Sequence, residues 1–477
     1  MGLQTRISPF LIQCFVSAGV TLNMSGMGLV MGFSTVLLPQ LEKPDSAIQI
    51  DESSGSWIAS IPGMAIIVGN FMLPTLMNKF GRKTANLISI MTFITGWLCL
   101  IFSNTTGLMI AARFLQGIAM GLIVTLGPIL IGEYTSPRNR GAFLMSISIS
   151  LGIGVFLIHI LGIYLHWQTT SMICIGIAVI TMSIVILSPE SPSWLANQGR
   201  YEECNKVFRY LRGHNEEDEL RKMIEASVIS KEDREKKLAA PETIAAKIEV
   251  AVSYLKKTLK ERAFYMPVII MFHVYTMAQW SGVNIFTSYL IDLVENVTGL
   301  KENIDIIIIS IDIQRIVTST VGLILIKKIR RRLLILITVS SNFVMYLIIA
   351  GYTYARQNDW LPYDSPYIGL LLIHLHMFFI AAGTLPISFV LSGEIFPLEY
   401  KGIAGGISTV FMSMNVFITV KTVPLFLNTV GFSGTYLIDS VVLGYCLIVI
   451  CWLLPETKDR TLLEIEEEFR SKKGSVP

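Results

Sequence analysis

Twelve long stretches of this chain carry almost no charge, and they constrain the possible folds more than any other feature of the sequence. Each stretch is roughly 20 residues or longer, the length that an α-helix needs to cross a bilayer. Only 15% of the 477 residues are charged, whereas a soluble domain carries about 25%. Because backbone polar groups inside a bilayer must bond within the chain, the sequence predicts an all-α integral membrane protein. The twelve predicted transmembrane helices are residues 10–38, 57–77, 86–103, 107–132, 142–165, 171–188, 264–293, 304–326, 333–354, 366–392, 403–428 and 433–454.

Short charged motifs of the first half return, in the same order, in the second half. Each motif directly follows a long apolar stretch, and the offsets are 249, 261 and 266 residues. Such a repeat predicts two parallel six-helix bundles that bind a substrate between them near the middle of the membrane. Chance recurrence of basic loops is the alternative. The matched motifs are 78–83 with 327–332, 132–133 and 140–141 with 393–394 and 401–402, and 189–191 with 455–457.

The repeat divides the chain into four predicted segments: an N-terminal bundle over 1–188, a cytoplasmic helical linker over 189–263, a C-terminal bundle over 264–454 and a cytoplasmic tail over 455–477. Apolar positions recur at helical spacing within the polar linker, although a simple connecting segment is the alternative. The alternation of apolar residues with glutamates predicts a short surface helix in the tail. The predicted linker and tail helices run from Tyr201 to Leu211, Glu217 to Ile229, Ile244 to Leu259 and Leu462 to Phe469.

Basic residues concentrate in the short loops on one side of this topology. The short loops of the other side hold only Lys43, Lys301 and Arg356. Positive charge in short loops marks the cytoplasmic side. We therefore expect both termini to be cytoplasmic, in a multi-pass protein of the plasma membrane. Glycosylation sequons begin on the predicted outside at Asn104, which lies close to the membrane, and at Asn296.

Charged residues near the membrane boundary predict a cytoplasmic charge network, because a charge there is costly unless it is paired or reaches water. The network would hold the two halves together while the protein opens outward and would separate when it opens inward. The alternative is that these charges only fix the topology. The proposed acceptors are Glu133 and Glu394, and the proposed donors are Arg82, Arg113, Arg140, Arg331 and Lys401.

Several longer motifs resemble the sugar-porter family of the major facilitator superfamily. The most specific are the segments 189–195 (PESPSWL), 279–284 (QWSGVN) and 455–462 (PETKDRTL). The resemblance extends from about Ser25 to Glu466, and it implies the major facilitator fold and a sugar as the transported substrate. The segments 32–34, 56–60 and 419–422 are most similar to insect facilitated trehalose transporters and their relatives. Weaker motifs that support the family are 81–83, 113–117, Glu133 with 140–141, and 394–397.

The resemblance also implies which residues bind the sugar. Gln279 and Asn284 match sugar-binding positions on the seventh helix, and amide side chains both donate and accept hydrogen bonds without a net charge. They are five residues apart, so they share a face only if the helix is unwound or bent, which Gly282 permits. Nearby aromatic side chains could stack on a sugar ring or could simply pack against lipid and other helices. These candidates are Trp280, Tyr289 and Phe389.

The chain departs from the family pattern at other sugar-binding positions. Ser148 stands where the family has a glutamine on the fifth helix, and Gln314 or Arg315 falls at the amide position on the eighth. On the tenth helix, the segment 385–389 lacks one proline and the tryptophan of the family motif. Each missing hydrogen bond removes about 0.5–1.5 kcal/mol of binding free energy. The substrate therefore stays open between trehalose, a hexose and another solute.

Proton coupling needs a titratable group inside the membrane. Proton-coupled sugar porters carry an acid in the first helix, where this chain has Ser34. Asp305 and Asp312 are alternatives in the eighth helix, but Arg315 follows Asp312 at the spacing of a helical ion pair. For the intramembrane histidines 159, 374 and 376, satisfied polar packing is favoured over a proton relay. Facilitated diffusion is the leading interpretation.

The sequence favours a facilitative sugar transporter that works by alternating access. A non-transporting sugar sensor on the same fold, and a transporter in which Arg315 selects an anionic solute, are the alternatives. We expect no enzyme activity, because no catalytic constellation occurs, and no cofactor, because nucleotide-binding and metal-ligand motifs are missing from the sequence. The expected partners are a small-molecule sugar and the lipid bilayer, without nucleic acid, and the protein is expected to work as a monomer.

Overall fold

The computed structural model describes residues 8–213, 216–238, 258–300, 302–361, 363, 365–397, 401–458, 460 and 462–471. The regular elements in these ranges are helices. The structure therefore confirms the predicted all-α fold.

The first half contains six long helices joined by short loops. Pro9 and Pro137 begin the first and fifth helices at a position where proline loses no helical hydrogen bond. Asp51 and Thr105 each accept a backbone N–H in the first turn of the helix that follows. The helices are α1 (Pro9–Leu41), α2 (Glu52–Phe80), α3 (Arg82–Ile101), α4 (Thr106–Tyr134), α5 (Pro137–Tyr164) and α6 (Trp167–Leu187).

The linker contains three helices in the described residues: α7 (Pro192–Asn197), α8 (Tyr201–Arg212) and α9 (Glu217–Leu238). α8 and the first part of α9 coincide with predicted helices, whereas α7 was not predicted. The linker attaches to the first half through Arg212, whose Nη2 donates to Glu133 O at 3.0 Å. The predicted helix over 244–259 lies almost entirely outside the described residues.

The second half repeats the six spans with three interruptions. The counterpart of α1 is broken into three pieces, the counterpart of α4 contains a π-helix over Ile380–Thr384, and the last two spans are two helices that meet at a non-helical break at Gly431. The helices are α10 (Arg262–Gln279), α11 (Val283–Ser288), α12 (Leu290–Thr298), α13 (Ile304–Lys328), α14 (Arg331–Gln357), α15 (Pro366–Phe379), α16 (Leu385–Glu394) and α17 (Lys401–Leu453), followed by α18 (Leu462–Ser471) in the predicted tail.

Twelve spans account for these helices. Ten helical segments in the described residues are long and apolar enough to cross a membrane, and one of them comprises α15, the π-helix and α16. One of the ten, α17, supplies two spans because Gly431 interrupts it with a φ of 71°, and the broken series α10 to α12 supplies one more. The segment boundaries predicted at 188, 263 and 454 stay predictions.

The helices pack mainly within their own half. α1 lies against α5 and α2 against α4, while α10 and α14 lie against α17. Between the halves, α2 contacts α17 and α5 contacts α13. We call the end of the bundles that carries the loops after α2, α4 and α13 the basic end, and the other end the opposite end. A third contact between the halves joins α1 to α11, the middle piece of the broken span.

Candidate functional site

The candidate sugar site lies where the seventh span is broken. α10 ends at Gln279, and Gly282 then adopts a φ of 97°, which glycine tolerates without strain. A Cβ at Gly282 would lie 3.0 Å from Tyr346 Oη and from His376 Cε1. These two side chains also bond the exposed backbone of the break: Tyr346 Oη donates to Trp280 O at 2.8 Å, and His376 Nε2 lies 3.0 Å from Ser281 O. Glycine and buried polar side chains together stabilise the interruption.

The break brings Gln279 and Asn284 together, as the sequence predicts for a bent helix. Asn284 Nδ2 lies 3.2 Å from Gln279 O and 3.3 Å from Gln279 Oε1. The same nitrogen donates to Thr419 Oγ1 on α17 at 2.6 Å. All three residues are buried. The two amides and Thr419 therefore form one polar cluster, in which the Asn284 donor is used internally.

The unused polar atoms of this cluster suit a sugar. Among the described residues, Asn284 Oδ1 accepts no hydrogen bond and Gln279 Nε2 donates none. One acceptor and one donor on two adjoining amides can bond hydroxyl groups of a sugar, each of which can donate and accept. The adjoining cavity measures only about 10 Å³, which holds about one water molecule. The halves must therefore move to admit a sugar at this place.

The aromatic candidates separate into two groups. Trp280 is half-buried beside the cluster, and its Nε1 donates to Asn415 Oδ1 at 3.0 Å. Tyr289 is buried and donates to Val420 O at 3.3 Å. Phe389, by contrast, is 45% exposed on α16 and takes no part in the cluster. Sequence reasoning missed Asn415 and also Asp439, which lines the same small cavity; polar residues in the last two apolar stretches were the available signal.

Ser148 and Gln314 do not join the cluster either. Ser148 is exposed on α5. Gln314 Nε2 donates to His374 O at 2.7 Å, and its Oε1 contacts the His374 ring, so its amide is occupied inside the second half. Arg315, the next residue on α13, pairs instead with Asp312. The structure therefore brings together Gln279, Asn284 and Trp280. Ser148 and Gln314, at positions where the chain departs from the family pattern, lie outside this cluster.

The intramembrane histidines and acids that were considered for proton coupling mostly have polar partners. Arg315 Nη2 lies 2.9 Å from Asp312 Oδ1, which confirms the predicted ion pair. His159 Nδ1 lies 2.6 Å from Asp312 Oδ2, and His374 Nε2 lies 3.2 Å from Ser310 Oγ. Asp305 is exposed in the first turn of α13. Each of these histidines has a polar partner, but within the described part of the chain the buried Nε2 of His159 and Nδ1 of His376 have none, and the preference for polar packing over a proton relay stays a prediction.

Arg113 occupies a different place from the one the sequence analysis gave it. It lies in the half of α4 toward the opposite end, about 30 Å along the helix from Glu133, so it does not belong to the network at the basic end. Its guanidinium is buried and donates to Ser34 Oγ at 2.9 Å and Gln116 Oε1 at 2.9 Å. It also donates to the backbone oxygens of Val30 and Ile58. All four acceptors are uncharged.

The charges at the basic end form two copies of one arrangement. In the first half, Arg82 Nε lies 3.4 Å from Glu133 Oε2, and Glu190 accepts the backbone N–H of Arg82 and Lys83 at the start of α3. In the second half, Arg331 Nη2 lies 3.2 Å from Glu394 Oε1, and Glu456 accepts the backbone N–H of Arg331 and Arg332 at the start of α14. The sequence repeat is thus a repeat of contacts.

Each copy lies within its own half, so the observed pairs do not tie the halves together. Arg140 pairs with Glu219 of the linker at 3.7 Å, and Lys401 begins α17. Gly81 takes a φ of 96° in the first copy, and the extended residues Ile329 and Arg330 replace it in the second. A latch between the halves at the basic end stays a prediction for another conformation. The sequon residues Asn104 and Asn296 are both exposed near the opposite end.

Comparison with known proteins decides the family. The family described as "Sugar (and other) transporter" matches residues 12–469. The chain belongs to this family. The transporter is 24% identical over 459 residues to the facilitated trehalose transporter Tret1 of Culex quinquefasciatus, with 94% of this chain and 84% of the relative covered. Tret1 of Bombyx mori is 25% identical over 468 residues, with 96% and 87% covered.

Solved structures share the fold of the transporter. The inward open conformation of the xylose transporter XylE from E. coli matches with a TM-score of 0.74 at 17% identity, covering 97% of this chain and 100% of that one. XylE bound to 6-bromo-6-deoxy-D-glucose matches with a TM-score of 0.71 at 16% identity, covering 97% and 99%. The major facilitator fold and the predicted sugar-porter resemblance are confirmed. The protein is a membrane-embedded sugar transporter of this superfamily.

Proposed function

We propose that the transporter moves an uncharged sugar, trehalose or a hexose, down its concentration gradient by alternating access and without a coupled proton. The observation that carries the passive mechanism is the neutral environment of Arg113. Its guanidinium donates to Ser34, Gln116 and two backbone oxygens, and none of these acceptors binds or releases a proton near neutral pH. A proton on this cluster therefore has no group to occupy.

The similarity to facilitated trehalose transporters and the uncharged cluster of Gln279, Asn284 and Thr419 support a neutral polyhydroxylated substrate. Asp312 neutralises Arg315 at 2.9 Å, which removes the reason to expect an anionic solute. We place the basic end in the cytosol, with both termini there, following the positive-inside rule. The proposal also includes that the transporter acts as a monomer in the plasma membrane.

Uptake into liposomes tests the mechanism directly. A pH difference of one unit is worth about 1.36 kcal/mol, so one-to-one proton coupling would concentrate the sugar about ten-fold inside. For the purified transporter we expect the internal and external sugar concentrations to become equal, with or without a protonophore. Accumulation that the protonophore abolishes would contradict the uniport proposal.

Two further arms complete the experiment. Ser34→Asp places a carboxylate opposite the Arg113 guanidinium and supplies the titratable group that the native chain lacks at this position, so it is the variant expected to respond to the pH difference. A panel of labelled trehalose, glucose and other sugars identifies the substrate. Specific sugar binding without uptake of any sugar would favour a sensor over a transporter.

A further inference from the structure

In the described part of the chain, α1 contacts α11 across the halves, and two further pairs of helices join the halves with polar contacts that lie toward the opposite end. The pairs are α2 with α17 and α5 with α13. Near the same end, Thr35 Oγ1 of α1 donates to Thr287 O of α11 at 3.1 Å. Alternating access requires the halves to separate at this end once per cycle. The side chains that hold it closed therefore control when the pathway opens there.

The contact between α2 and α17 is close and specific. Gly63 lets the helices touch, because a Cβ there would lie 2.8 Å from Phe417 N. Farther toward the opposite end, Lys421 Nζ donates to Ser56 Oγ at 2.6 Å and lies 4.2 Å from the centre of the Trp57 ring. A cation over an aromatic ring is attracted to its face. Trp57 and Lys421 belong to two of the three segments that resemble insect trehalose transporters, so these two segments meet across the interface.

The contact between α5 and α13 is buried and charged. His159 Nδ1 lies 2.6 Å from Asp312 Oδ2, and both side chains are about 1% exposed. Arg315 lies on the same helix as Asp312 and stays with it when the halves move. His159 comes from the other half, so its bond to Asp312 crosses the interface between the halves. Hydrogen bonds to charged groups are among the stronger ones in proteins.

We infer that these two contacts form a paired latch that holds the opposite end closed and must break for that end to open. One part of the latch is Lys421 bound to Ser56 and Trp57, and the other is Asp312 bound to His159. This inference rests on the alternating access of the proposed function. The two contacts lie on different helix pairs, so the loss of one leaves the other in place. Each loss should therefore raise the open population, and the combined loss should raise it further.

A cysteine at position 287 reports the opening. Thr287 is 3% exposed and lies at the closed interface, so Thr287→Cys should react with a membrane-impermeant thiol reagent only when the opposite end opens. The reporter is placed in a chain whose other native cysteines, except Cys204, are replaced by alanine. Lys421→Met should raise the labelling rate about two- to five-fold, and His159→Leu about ten-fold or more.

Matched controls use residues at the same end that do not cross the interface. Lys43 and His166 line a cavity of about 520 Å³ between the halves at this end, together with Thr35 and His159. Among the described residues, neither control side chain forms a hydrogen bond or ion pair with the second half, and His166 bonds to Gln168 in its own half. Lys43→Met and His166→Leu should leave the labelling rate unchanged. Cys204 is fully buried in the small core of the linker, so its protection in solubilised protein shows that the linker of each variant is folded, and a monodisperse peak in size-exclusion chromatography checks the bundles.

The labelling rate decides the inference without any sugar. Faster labelling in Lys421→Met and His159→Leu, with protected Cys204, would support the latch. Unchanged rates in both variants, or an equal rise in the control variants, would overturn it. Because the reagent reports opening whatever the solute is, a failure of the sugar proposal and a failure of the latch give different results.

Discussion

Thr419→Val should weaken sugar transport only while Asn284 is present. Thr419 Oγ1 accepts from Asn284 Nδ2 at 2.6 Å and donates to Asn415 O at 2.8 Å. Valine has nearly the shape of threonine but offers no acceptor. The Asn284 amide then loses its shortest hydrogen bond and is no longer held with Oδ1 toward the proposed sugar position.

The expected magnitudes follow from the bonds that each change removes. Asn284→Ala removes the proposed contact with a sugar hydroxyl, and a hydroxyl left unpaired costs about 1–3 kcal/mol, or about 5- to 150-fold in uptake at low sugar concentration. Thr419→Val removes one neutral internal bond worth about 0.5–1.5 kcal/mol, or about 2- to 13-fold. In the Asn284→Ala background that bond no longer exists, so Thr419→Val should cost less than about two-fold.

Initial uptake rates in liposomes, normalised to the amount of folded protein, measure all four members of this cycle. Thr429→Val is the matched control, because Thr429 is exposed on the same helix and bonds only its own helix. A Thr419→Val effect that persists undiminished in Asn284→Ala protein would show that Thr419 acts independently, and the reasoning would be wrong. Unchanged transport in both Asn284→Ala and Gln279→Ala would move the sugar site elsewhere.

Three further predictions concern the basic end and the linker. Gly81→Ala should lower the free energy of unfolding by about 2–4 kcal/mol, because the φ of Gly81 is 96° and a Cβ there would lie 2.2 Å from Glu190 Oε2. Thermal unfolding measures this loss. The control variant Gly132→Ala should be tolerated, because a Cβ at Gly132 would meet open space. Glu133→Gln and Glu394→Gln should each slow turnover more than sugar binding and expose a cysteine in the basic-end half of the pathway; lost transport with unchanged exposure would assign these charges to folding. Burial raises the pKa of the Cys204 thiol to about 11, so native protein should resist alkylation at about pH 8, and rapid modification detected by mass spectrometry would contradict that burial.

The sequence was sufficient for the helices and their number because the bilayer leaves few alternatives. A long uncharged stretch must be a helix there, since only a helix bonds its own backbone. The predicted segment 57–77 lies inside α2, and the predicted segment 304–326 lies inside α13. The repeat of charged motifs also predicted two similar halves, because each motif serves the same contact, with Glu190 and Glu456 accepting the N–H groups at the starts of α3 and α14.

The site was predictable only in part. Gln279, Asn284 and the bend at Gly282 follow from one short motif, and the structure brings them together. Phe389 and Ser148 were inferred from positions in a family pattern that this chain does not keep, and both side chains are exposed. Thr419, which completes the cluster, is 135 residues from Asn284, and no local pattern reports such a distance.

By itself, the sequence determined the membrane-spanning architecture, the twofold repeat and the ion pair of Asp312 with Arg315, because each depends on local composition or on spacing along one helix. Only the tertiary structure decided which charges meet across the halves. It placed Arg113 against uncharged acceptors and kept Glu133 and Glu394 within their own halves. It also joined Lys421 to Trp57 and His159 to Asp312. These contacts depend on how separate helices face one another, and hydrophobic periodicity carries no information about the partner that a buried polar side chain will find.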